Sequence, residues 1–501
     1  MATGTDATGV PGGSARGRGA PAATIALLLL AGLAILNALS YALLAANPLP
    51  RSDNWRALNG YLGRFIERGF SWLDLFAQSD PGDTNFPLNK AVTLWHTRYW
   101  QMDFGVESVV GTFAAIGIVA VIAQCALRLR PTPLSAATLL AWLAMVVLSI
   151  NSSELYNWPL AAMWFMPLLL ACIYIRLPPS ASMPVVVAAT ALLGLLLDEF
   201  AYPVVASLLI ATWLVPAATP GPRVGRFAAA AVAGLLVARM SYAAINAFAP
   251  QEVLLAPPTT RSITALASAE AWKAAAWPLA DSLLHVDHAR RLAGAQAVWL
   301  QVVIAAGLGL AHLGFWWRIV QRRAQAHAGP VVRMAAAIML LFYATALGIV
   351  MQRVPAFGYD YLHQPRYVAF YQLNLAALGI MGWIEASECS GKLRRSLVPV
   401  AAAALIAMCA LQWHVAGQAW DDYGRGYGSR YLQSMAGQMG QLARDPDAAI
   451  KCVPLLTVCG FPEAPRRRVI GLLAGHGLSV FSPQFQARHR LVPAPVRDDG
   501  R

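Results

Sequence analysis

Residues 22–46 read AATIALLLLAGLAILNALSYALLAA, and the chain continues as NPLPRSDNW over residues 47–55. The first stretch has no charged residue and exceeds the roughly 20 apolar residues that a helix needs to cross a bilayer. It is also longer than the apolar core of a signal peptide, which has roughly 7 to 15 residues. We therefore interpret it as an uncleaved first transmembrane span, and Asp53 follows at the predicted membrane surface.

The composition of the whole chain supports this interpretation. Hydrophobic residues make up 57% of the 501 residues, charged residues only 13%, and the mean hydropathy is +0.51. Such values are typical of a membrane protein and exclude an ordinary soluble domain. The formal net charge is +13, and the arginines lie mainly between the apolar runs. Because arginines in those positions orient helices in the bilayer, we expect no nucleic-acid partner.

Apolar segments of near-membrane length recur along the chain. They predict an all-α polytopic membrane protein with about eleven transmembrane helices, within a range of about nine to twelve. The predicted spans are 22–46, 106–127, 133–150, 158–175, 183–197, 200–216, 227–248, 297–317, 332–351, 367–385 and 397–415. Asp198 and Glu199 divide the fifth span from the sixth. This region therefore allows two interpretations, a hairpin with both carboxylates at its tip or one long tilted helix.

The distribution of basic residues favours the hairpin. Positive residues mark the cytoplasmic side of a membrane protein, so the number of crossings between Arg176 and Arg223 must be even. Basic residues then fall in alternate connections, which predicts a cytoplasmic N-terminus and a C-terminus on the outer side. These basic residues are Arg128, Arg130, Arg176, Arg223, Arg226, Arg318, Arg322, Arg323, Arg333, Lys392, Arg394 and Arg395.

Three regions follow from this topology. We expect a disordered cytoplasmic tail at 1–21, a transmembrane core at 22–415 with a long outer loop at 47–105, and a small outer segment at 416–501. The outer segment contains Cys452 and Cys459, which can form a disulfide in an oxidising compartment. Free apolar cysteines are the alternative.

The outer loop contains two amphipathic stretches. The first, WRALNGYLGRFIERGFSWLDLF at residues 55–76, spaces Leu58, Leu62, Phe65 and Ile66 along one face of a helix. This pattern predicts a helix that lies in the membrane interface. The second, FPLNKAVTLWHTRYW at residues 86–100, has Pro87 at its start, where proline suits the first turn of a helix.

The order of these features resembles the GT-C superfamily, the integral-membrane glycosyltransferases that use polyprenyl-phosphate sugars. The likeness rests on a first span, an acidic residue beyond it, two surface helices, and an Asn-x-Pro-Leu opening formed by Asn85, Pro87 and Leu88. The resemblance implies that Asp53 is the catalytic base or a metal ligand for the acceptor. Asn54 stands where members commonly have a second acid, so the role of a divalent metal stays open. A helix N-cap is the alternative role for Asp53.

A second acidic group in a later outer loop also belongs to the GT-C pattern, and the candidates are Asp198, Glu199 and Glu154. A carboxylate at membrane depth costs about 2.5 to 3.5 kcal/mol unless water or a partner receives it. A solvated hairpin tip is the alternative for Asp198 and Glu199. Arg239, in the seventh predicted span, needs an anion as well, either one of these carboxylates or a lipid phosphate.

The segment MQRVPAFGYDYLHQPRYVAFYQ, residues 351–372, is dense in charged and aromatic side chains. Its Arg366-Tyr367 resembles an Arg-Tyr pair of related bacterial membrane glycosyltransferase-like proteins, where the arginine suits the donor phosphate. The candidates for phosphate binding are Arg366, Arg353 and Arg239. The side chains expected to line the substrate site are Trp55, His96, Arg98, Tyr359, Asp360, His363 and Tyr367. The alternatives are an aromatic belt with an anionic-headgroup contact for this segment and a surface position for His96.

The resemblance implies transfer of a hexosyl or pentosyl group from a polyprenyl-phosphate donor to an envelope acceptor, which is a lipid, a polysaccharide or a protein. It also implies that the reaction takes place on the outer face of a bacterial inner membrane, with the C-terminus in the periplasm. The chain contains no HExxH, Walker or GxSxG motif, and apart from the divalent metal left open above it indicates no cofactor. Two other classes remain as alternatives. One is a secondary transporter or flippase of envelope precursors that uses Asp198, Glu199 and Arg239, and the other is a non-catalytic envelope assembly protein.

Overall fold

The computed structural model describes residues 19–77, 86–151, 153–215, 222–250, 262, 264–324, 329–388, 391–424, 427–448, 450–454 and 456–491. The regular elements in these ranges are all helices, and these ranges contain no strand. Asn85 of the Asn-x-Pro-Leu opening and most of the predicted N-terminal tail lie outside the described residues.

Long helices alternate with short ones along the chain. The first part contains α1 (Gly19–Ala45), α2 (Asn54–Asn59), α3 (Tyr61–Arg68), α4 (Pro87–Tyr99), α5 (Gly105–Leu127), α6 (Pro133–Val147), α7 (Glu154–Asn157), α8 (Pro159–Ala162), α9 (Phe165–Ile175), α10 (Met183–Leu197), α11 (Ala201–Leu214) and α12 (Pro222–Asn246). The second part contains α13 (Lys273–Leu283), α14 (Val286–Ala293), α15 (Ala297–Ala324), α16 (Pro330–Phe357), α17 (Val368–Tyr371), α18 (Leu373–Glu388), α19 (Gly391–Ala419), α20 (Tyr427–Arg444), α21 (Glu463–Gly475) and α22 (Pro483–His489). Turns of 3-10 helix at Tyr359–His363 and Pro365–Tyr367 connect α16 to α17.

Eight helical stretches in the described residues are long and apolar enough to cross a membrane. They are Pro21–Ala45, Gly105–Leu127, Met183–Leu214, Arg223–Asn246, Val286–Arg323, Pro330–Phe357, Pro365–Glu388 and Ala402–Tyr423. By length and composition, the chain is therefore an all-α protein of the multi-pass membrane type. The predicted number of spans is larger because Met183–Leu214 was divided in two and because two shorter apolar helices, Pro133–Val147 and Pro159–Ile175, were included.

The stretch Met183–Leu214 is divided at Asp198, whose φ of 48° ends α10. α10 and α12 run in the same direction. A Cβ on Gly234 would lie 2.6 Å from the Cβ of Thr190, and one on Gly194 would lie 2.5 Å from the Cβ of Ala238, one turn further along both helices. Glycines at these positions allow the two helix backbones to approach closely.

α11 runs back along the bundle, so that α10 and α11 form a hairpin. At its start, the ring of Phe200 lies 5.9 Å from the ring of Phe370, just before α18. At its end, the ring of Trp213 lies 4.9 Å from the guanidinium carbon of Arg323 in α15. The neighbouring Arg322 pairs with Glu385 in the last turn of α18. α11 thus runs in the same direction as α18, and the hairpin is the arrangement that the charge distribution predicts.

Arginines collect at the end of the bundle where α5, α9, α15 and α18 finish, which we call the basic end. Arg176 donates a hydrogen bond to Gln124 at 2.8 Å, which joins the last turns of α9 and α5. Arg322 lies 2.9 Å from Glu385 and 2.7 Å from Glu388. The opposite end, where α7 lies and α17 begins, is called the site end.

A second hydrophobic core at the site end joins the 47–105 loop to the C-terminal helices, and we call this unit the cap. Trp55, Leu58 and Leu62 of α2 and α3 are fully buried in one cluster with Met435 of α20 and Phe485 of α22. The apolar face that predicted a helix in the membrane interface is therefore covered by protein. The difference arises because α20 to α22 supply a larger apolar surface than the Gly-rich sequence indicates.

Polar contacts also hold the cap together. Cys452 and Cys459 form a disulfide, which the sequence left open against two free thiols. The carboxylate of Asp103, just before α5, lies 2.9 Å from Arg488 and 2.7 Å from His489 of α22. Burial raises the pKa of Asp103, but hydrogen bonds and charge from His489 and Arg488 outweigh it and lower the pKa below its usual value.

We expect Asp103→Asn to loosen α22 from the first loop. A group with a lowered pKa stabilises the folded state above its unfolded pKa of about 3.9, and the stabilisation is lost as the pH falls through the folded value. The variant should therefore lose about 1.5 to 3 kcal/mol at pH 7, and the loss should be smaller at about pH 3, below the unfolded pKa. Thermal unfolding in detergent at both pH values measures this, with Asp360→Asn, an exposed carboxylate, as control. An equal loss at both pH values would contradict the role of the charge.

Candidate functional site

A tryptophan that contacts two guanidinium groups lies at the centre of the site. Trp158 separates α7 from α8 and precedes Pro159, and its extended backbone (φ −102°, ψ 105°) is the conformation expected before proline. The guanidinium carbon of Arg51 lies 5.1 Å from the centre of the indole, and that of Arg366 lies 5.3 Å from it. Both are cation–π distances. The loop after α1, the α7–α8 connection and the turn before α17 therefore meet at one ring.

Arg51 is held by a buried ion pair. Its Nη2 lies 3.0 Å from Oε1 of Glu154, its Nη1 donates to Asn157 at 3.4 Å, and the residue is only 6% exposed. Burial lowers the pKa of Arg51, and the charge of Glu154 acts in the opposite direction. The Oδ1 of Asn54 accepts the backbone N–H of Arg51 at 3.3 Å. Asn54, which stands where a second acid is common, therefore has a structural role beside Arg51.

Asp53 lies between this ion pair and α2. Ser52 has a φ of 50°, and this turn brings Asp53 to the residue preceding α2. The side chain of Asp53 makes no hydrogen bond to the first amides of the helix, so the structure does not contain the N-cap that was the alternative. Its half-buried carboxylate interacts electrostatically with Arg366 instead, as does that of Glu154. Among the described residues it has no ion pair within 4.0 Å.

Arg366 is surrounded by aromatic rings. Its guanidinium carbon lies 5.6 Å from the centre of the Tyr361 ring and 5.4 Å from that of Tyr367, and it donates a hydrogen bond to the Tyr361 hydroxyl. Tyr361 in turn stacks on Phe357 with the ring centres 4.4 Å apart. Arg353 interacts electrostatically with Tyr367. The structure therefore brings together Asp53, Glu154, Arg366, Tyr367 and Arg353 among the predicted site residues.

Asp198 and Arg239 form a pair of their own. The guanidinium Nη1 of Arg239 lies 3.7 Å from Oδ1 of Asp198, in a small crevice between α10 and α12 lined also by Tyr202 and Tyr242. The Arg239 side chain is 55% exposed, whereas that of Asp198 is 4% exposed. The sequence left open whether Arg239 meets a carboxylate or a lipid phosphate. In the structure its guanidinium lies beside the carboxylate of Asp198. Glu199 is half-buried beside the pair at the hairpin turn.

The other predicted residues occupy different surroundings. Trp55 and His96 are both 0% exposed, the first within the cap and the second bonded to Glu107 of α5 at 3.0 Å. Arg98 and Asp360 are exposed on the surface. Tyr359 is buried, and its hydroxyl lies 2.7 Å from Ser268.

His363 belongs to a polar cluster that the sequence does not predict as a unit. Its Nδ1 donates to Oδ2 of Asp281 at 2.7 Å, and Asp281 is 0% exposed. Asn151 donates to the backbone oxygen of Asp281 and accepts the backbone N–H of His285, both at 2.8 Å. The signal for Asp281 in the sequence was a single carboxylate in the otherwise apolar stretch WPLADSLL. Arg51 and Trp158 were missed as well, although a basic residue beyond a span and a Trp-Pro pair are visible.

No family model matches the chain, and no curated protein matches it either. Within the described residues, no group of three or more His, Cys, Asp and Glu side chains converges in a way that could hold a metal ion. The arrangement around Trp158 consists of two carboxylates, two guanidinium groups and several aromatic rings. Such a set can accept a proton, bind an anion and stack on a sugar ring.

The two carboxylates should differ in their effect on stability. Glu154→Gln leaves the buried Arg51 charge without its counter-ion, so we expect the variant to lose about 3 to 5 kcal/mol. Asp53→Asn removes a half-exposed carboxylate without a close partner, so its stability should stay within about 0.5 kcal/mol of the wild type. Thermal unfolding of both variants in detergent measures the difference. Equal losses would contradict the separate roles of the two carboxylates.

Proposed function

We propose that the chain is a membrane glycosyltransferase that moves a hexosyl or pentosyl group from a polyprenyl-phosphate donor to an envelope acceptor. The observation that carries the proposal is the half-exposed carboxylate of Asp53, which interacts electrostatically with the guanidinium of Arg366. The GT-C resemblance of the first span and its following loop points in the same direction.

The proposed reaction uses these two groups in complementary roles. An acceptor hydroxyl attacks the anomeric carbon of the sugar, and the bond between that carbon and the phosphate oxygen breaks. The hydroxyl proton passes to Asp53, which lacks a competing ion pair, and polyprenyl phosphate leaves as an anion. Arg366 stabilises the charge that develops on the phosphate, because a guanidinium offers several N–H donors in a planar fork.

The surrounding side chains support these roles. Arg51 already forms an ion pair with Glu154. Of the two arginines that contact Trp158, Arg366 is therefore the one that remains for an incoming phosphate. The rings of Trp158, Tyr361 and Tyr367 hold Arg366 from several sides. Trp158 and Tyr367 are buried, whereas Tyr361 is half-buried and is the ring of the three that can stack on a sugar. Glu154 fits the second acid of the GT-C pattern, acting through Arg51 and Arg366.

We further propose that the protein crosses a bacterial inner membrane eleven times, with the N-terminus in the cytoplasm and the cap in the periplasm. The arginines of the basic end support this orientation, because positive residues concentrate on the cytoplasmic side. The disulfide between Cys452 and Cys459 supports it from the other end, because such bonds persist in the periplasm. The hairpin of α10 and α11 contributes two of the proposed crossings.

The first test compares lipid-linked sugars and envelope glycans by mass spectrometry. Strains carry the wild type, a deletion, Asp53→Asn or Glu270→Gln, an exposed carboxylate that forms only a surface pair with Lys273. We expect the deletion to remove one sugar increment and Asp53→Asn, at equal protein level, to lower its formation about 100- to 10,000-fold. Glu270→Gln should behave as the wild type. Unchanged glycans in the deletion strain would contradict the transferase and favour a transporter or an assembly protein.

The second test concerns orientation. Alkaline phosphatase is active only after export, whereas green fluorescent protein fluoresces in the cytoplasm. We expect a phosphatase fused after residue 491 to be active and the fluorescent protein at that point to be dark, because the cap is proposed to be periplasmic. Fusions inserted between Arg323, at the basic end, and Pro330 should give the opposite pattern. A fluorescent fusion after residue 491 would place the site in the cytoplasm and overturn the orientation.

A further inference from the structure

The cluster around Asp281 has the geometry of a carboxylate–histidine dyad. Oδ2 of Asp281 accepts the Nδ1–H of His363 at 2.7 Å, and Oδ1 accepts the backbone N–H of Val286 at 3.1 Å. Both oxygens of this buried carboxylate are therefore occupied. A carboxylate on Nδ1 holds the imidazole ring in one orientation and stabilises its protonated form.

The dyad is supported by neighbouring groups on other elements. The Nε2–H of His285 donates to the backbone oxygen of His363 at 2.6 Å, while its Nδ1 accepts the backbone N–H of Asp287. Asn151 links the backbone of Asp281 to that of His285. The ring of Trp277 lies 5.0 Å from the His363 ring at an angle of 37°. These contacts together restrict the position of the His363 ring.

The second nitrogen of His363 is available. Its Nε2 makes no hydrogen bond among the described residues, and this atom is not fully enclosed by protein. The side chain is 12% exposed, whereas that of Asp281 is fully buried. The dyad therefore presents one N–H group or lone pair to the solvent side.

His363 also lies next to Arg366. The two residues belong to consecutive 3-10 turns. The hydroxyl of Tyr371 donates to the backbone oxygen of Leu362, and its ring lies 6.4 Å from that of Tyr367, over which Arg366 lies. Asp281 interacts electrostatically with Tyr371, so Tyr371 and Tyr367 connect the dyad to the guanidinium.

We propose that His363 is the proton donor to the departing phosphate, and that Asp281 is the residue that positions it. The inference rests on the function proposed above. As the bond from the anomeric carbon to the phosphate oxygen breaks, that oxygen takes the proton from Nε2 of the imidazolium. Polyprenyl phosphate leaves as a monoanion, the imidazole is left neutral, and the acceptor proton resides on Asp53. Solvent then returns a proton to His363 and removes one from Asp53, so atoms and charge balance.

Charges on every side of His363 bear on this assignment. Asp281 of α13 contacts the ring directly, Arg366 belongs to the neighbouring turn, and Arg353 lies near the end of α16, which precedes both turns. His285 contacts the backbone and not the ring. A bound phosphate adds negative charge and favours the protonated ring further. The arrangement suits a group that is protonated when the donor is bound and that releases its proton as the phosphate departs.

The test is the pH dependence of sugar transfer by the purified full-length protein. We expect His363→Gln to lower the rate about 100- to 10,000-fold and to remove the decline that the wild type shows on the alkaline side. Asp281→Asn should lower the rate less and move the alkaline decline to lower pH, because the imidazolium loses its carboxylate. His476→Gln, which changes an exposed histidine just after α21, is the control and should match the wild type.

A binding measurement separates this inference from the proposed function. Farnesyl phosphate serves as the probe, and the quantity of interest is the ratio of the Kd of His363→Gln to that of the wild type. We expect this ratio to rise as the pH falls from 8 to 6. If the wild type transfers no sugar but the ratio rises, the transferase proposal fails and His363 stands as a phosphate-binding group. A constant ratio, or a variant that keeps the wild-type pH profile of transfer, would overturn the role of His363.

Discussion

The ion pair between Arg51 and Glu154 is the interaction on which the site end depends. A guanidinium removed from water at a membrane boundary needs a counter-ion, and Glu154 is the carboxylate within reach. The pair ties the segment leaving the first span to the turn before Trp158. Asp53 follows Arg51 by two residues, and its carboxylate interacts electrostatically with Arg366.

Two hydrophobic cores meet at this point. The bundle core holds the long helices, and the cap core holds the first loop against α20 to α22. Asp53 precedes a helix of the cap, whereas Arg366 precedes a helix of the bundle. The two groups of the proposed reaction therefore belong to separately packed units, and their separation depends on how these units contact each other.

The sequence predicts the helices and the residues whose chemistry is unusual for their position. Asp53, Glu154 and Arg366 are charged groups beside apolar runs, and this contrast is visible without a structure. The partners are not visible, because they depend on contacts between distant parts of the chain. Arg51 meets Glu154 across 103 residues, and Asp281 meets His363 across 82. The cap was underestimated for the same reason, since its apolar residues are scattered and become one surface only after folding.

The contact between the first loop and the last helices also sets an order of assembly. Ser52 accepts a hydrogen bond from Thr457, which lies 405 residues later in the chain. At roughly 5 to 20 residues per second, a ribosome needs about 20 to 80 s to make the intervening segment. During that time α20 to α22 are not yet present to cover the apolar face of α2 and α3. The bilayer surface is the nearest apolar environment, so the amphipathic pattern that suggests a lipid-bound helix suits a nascent chain waiting for its C-terminal half.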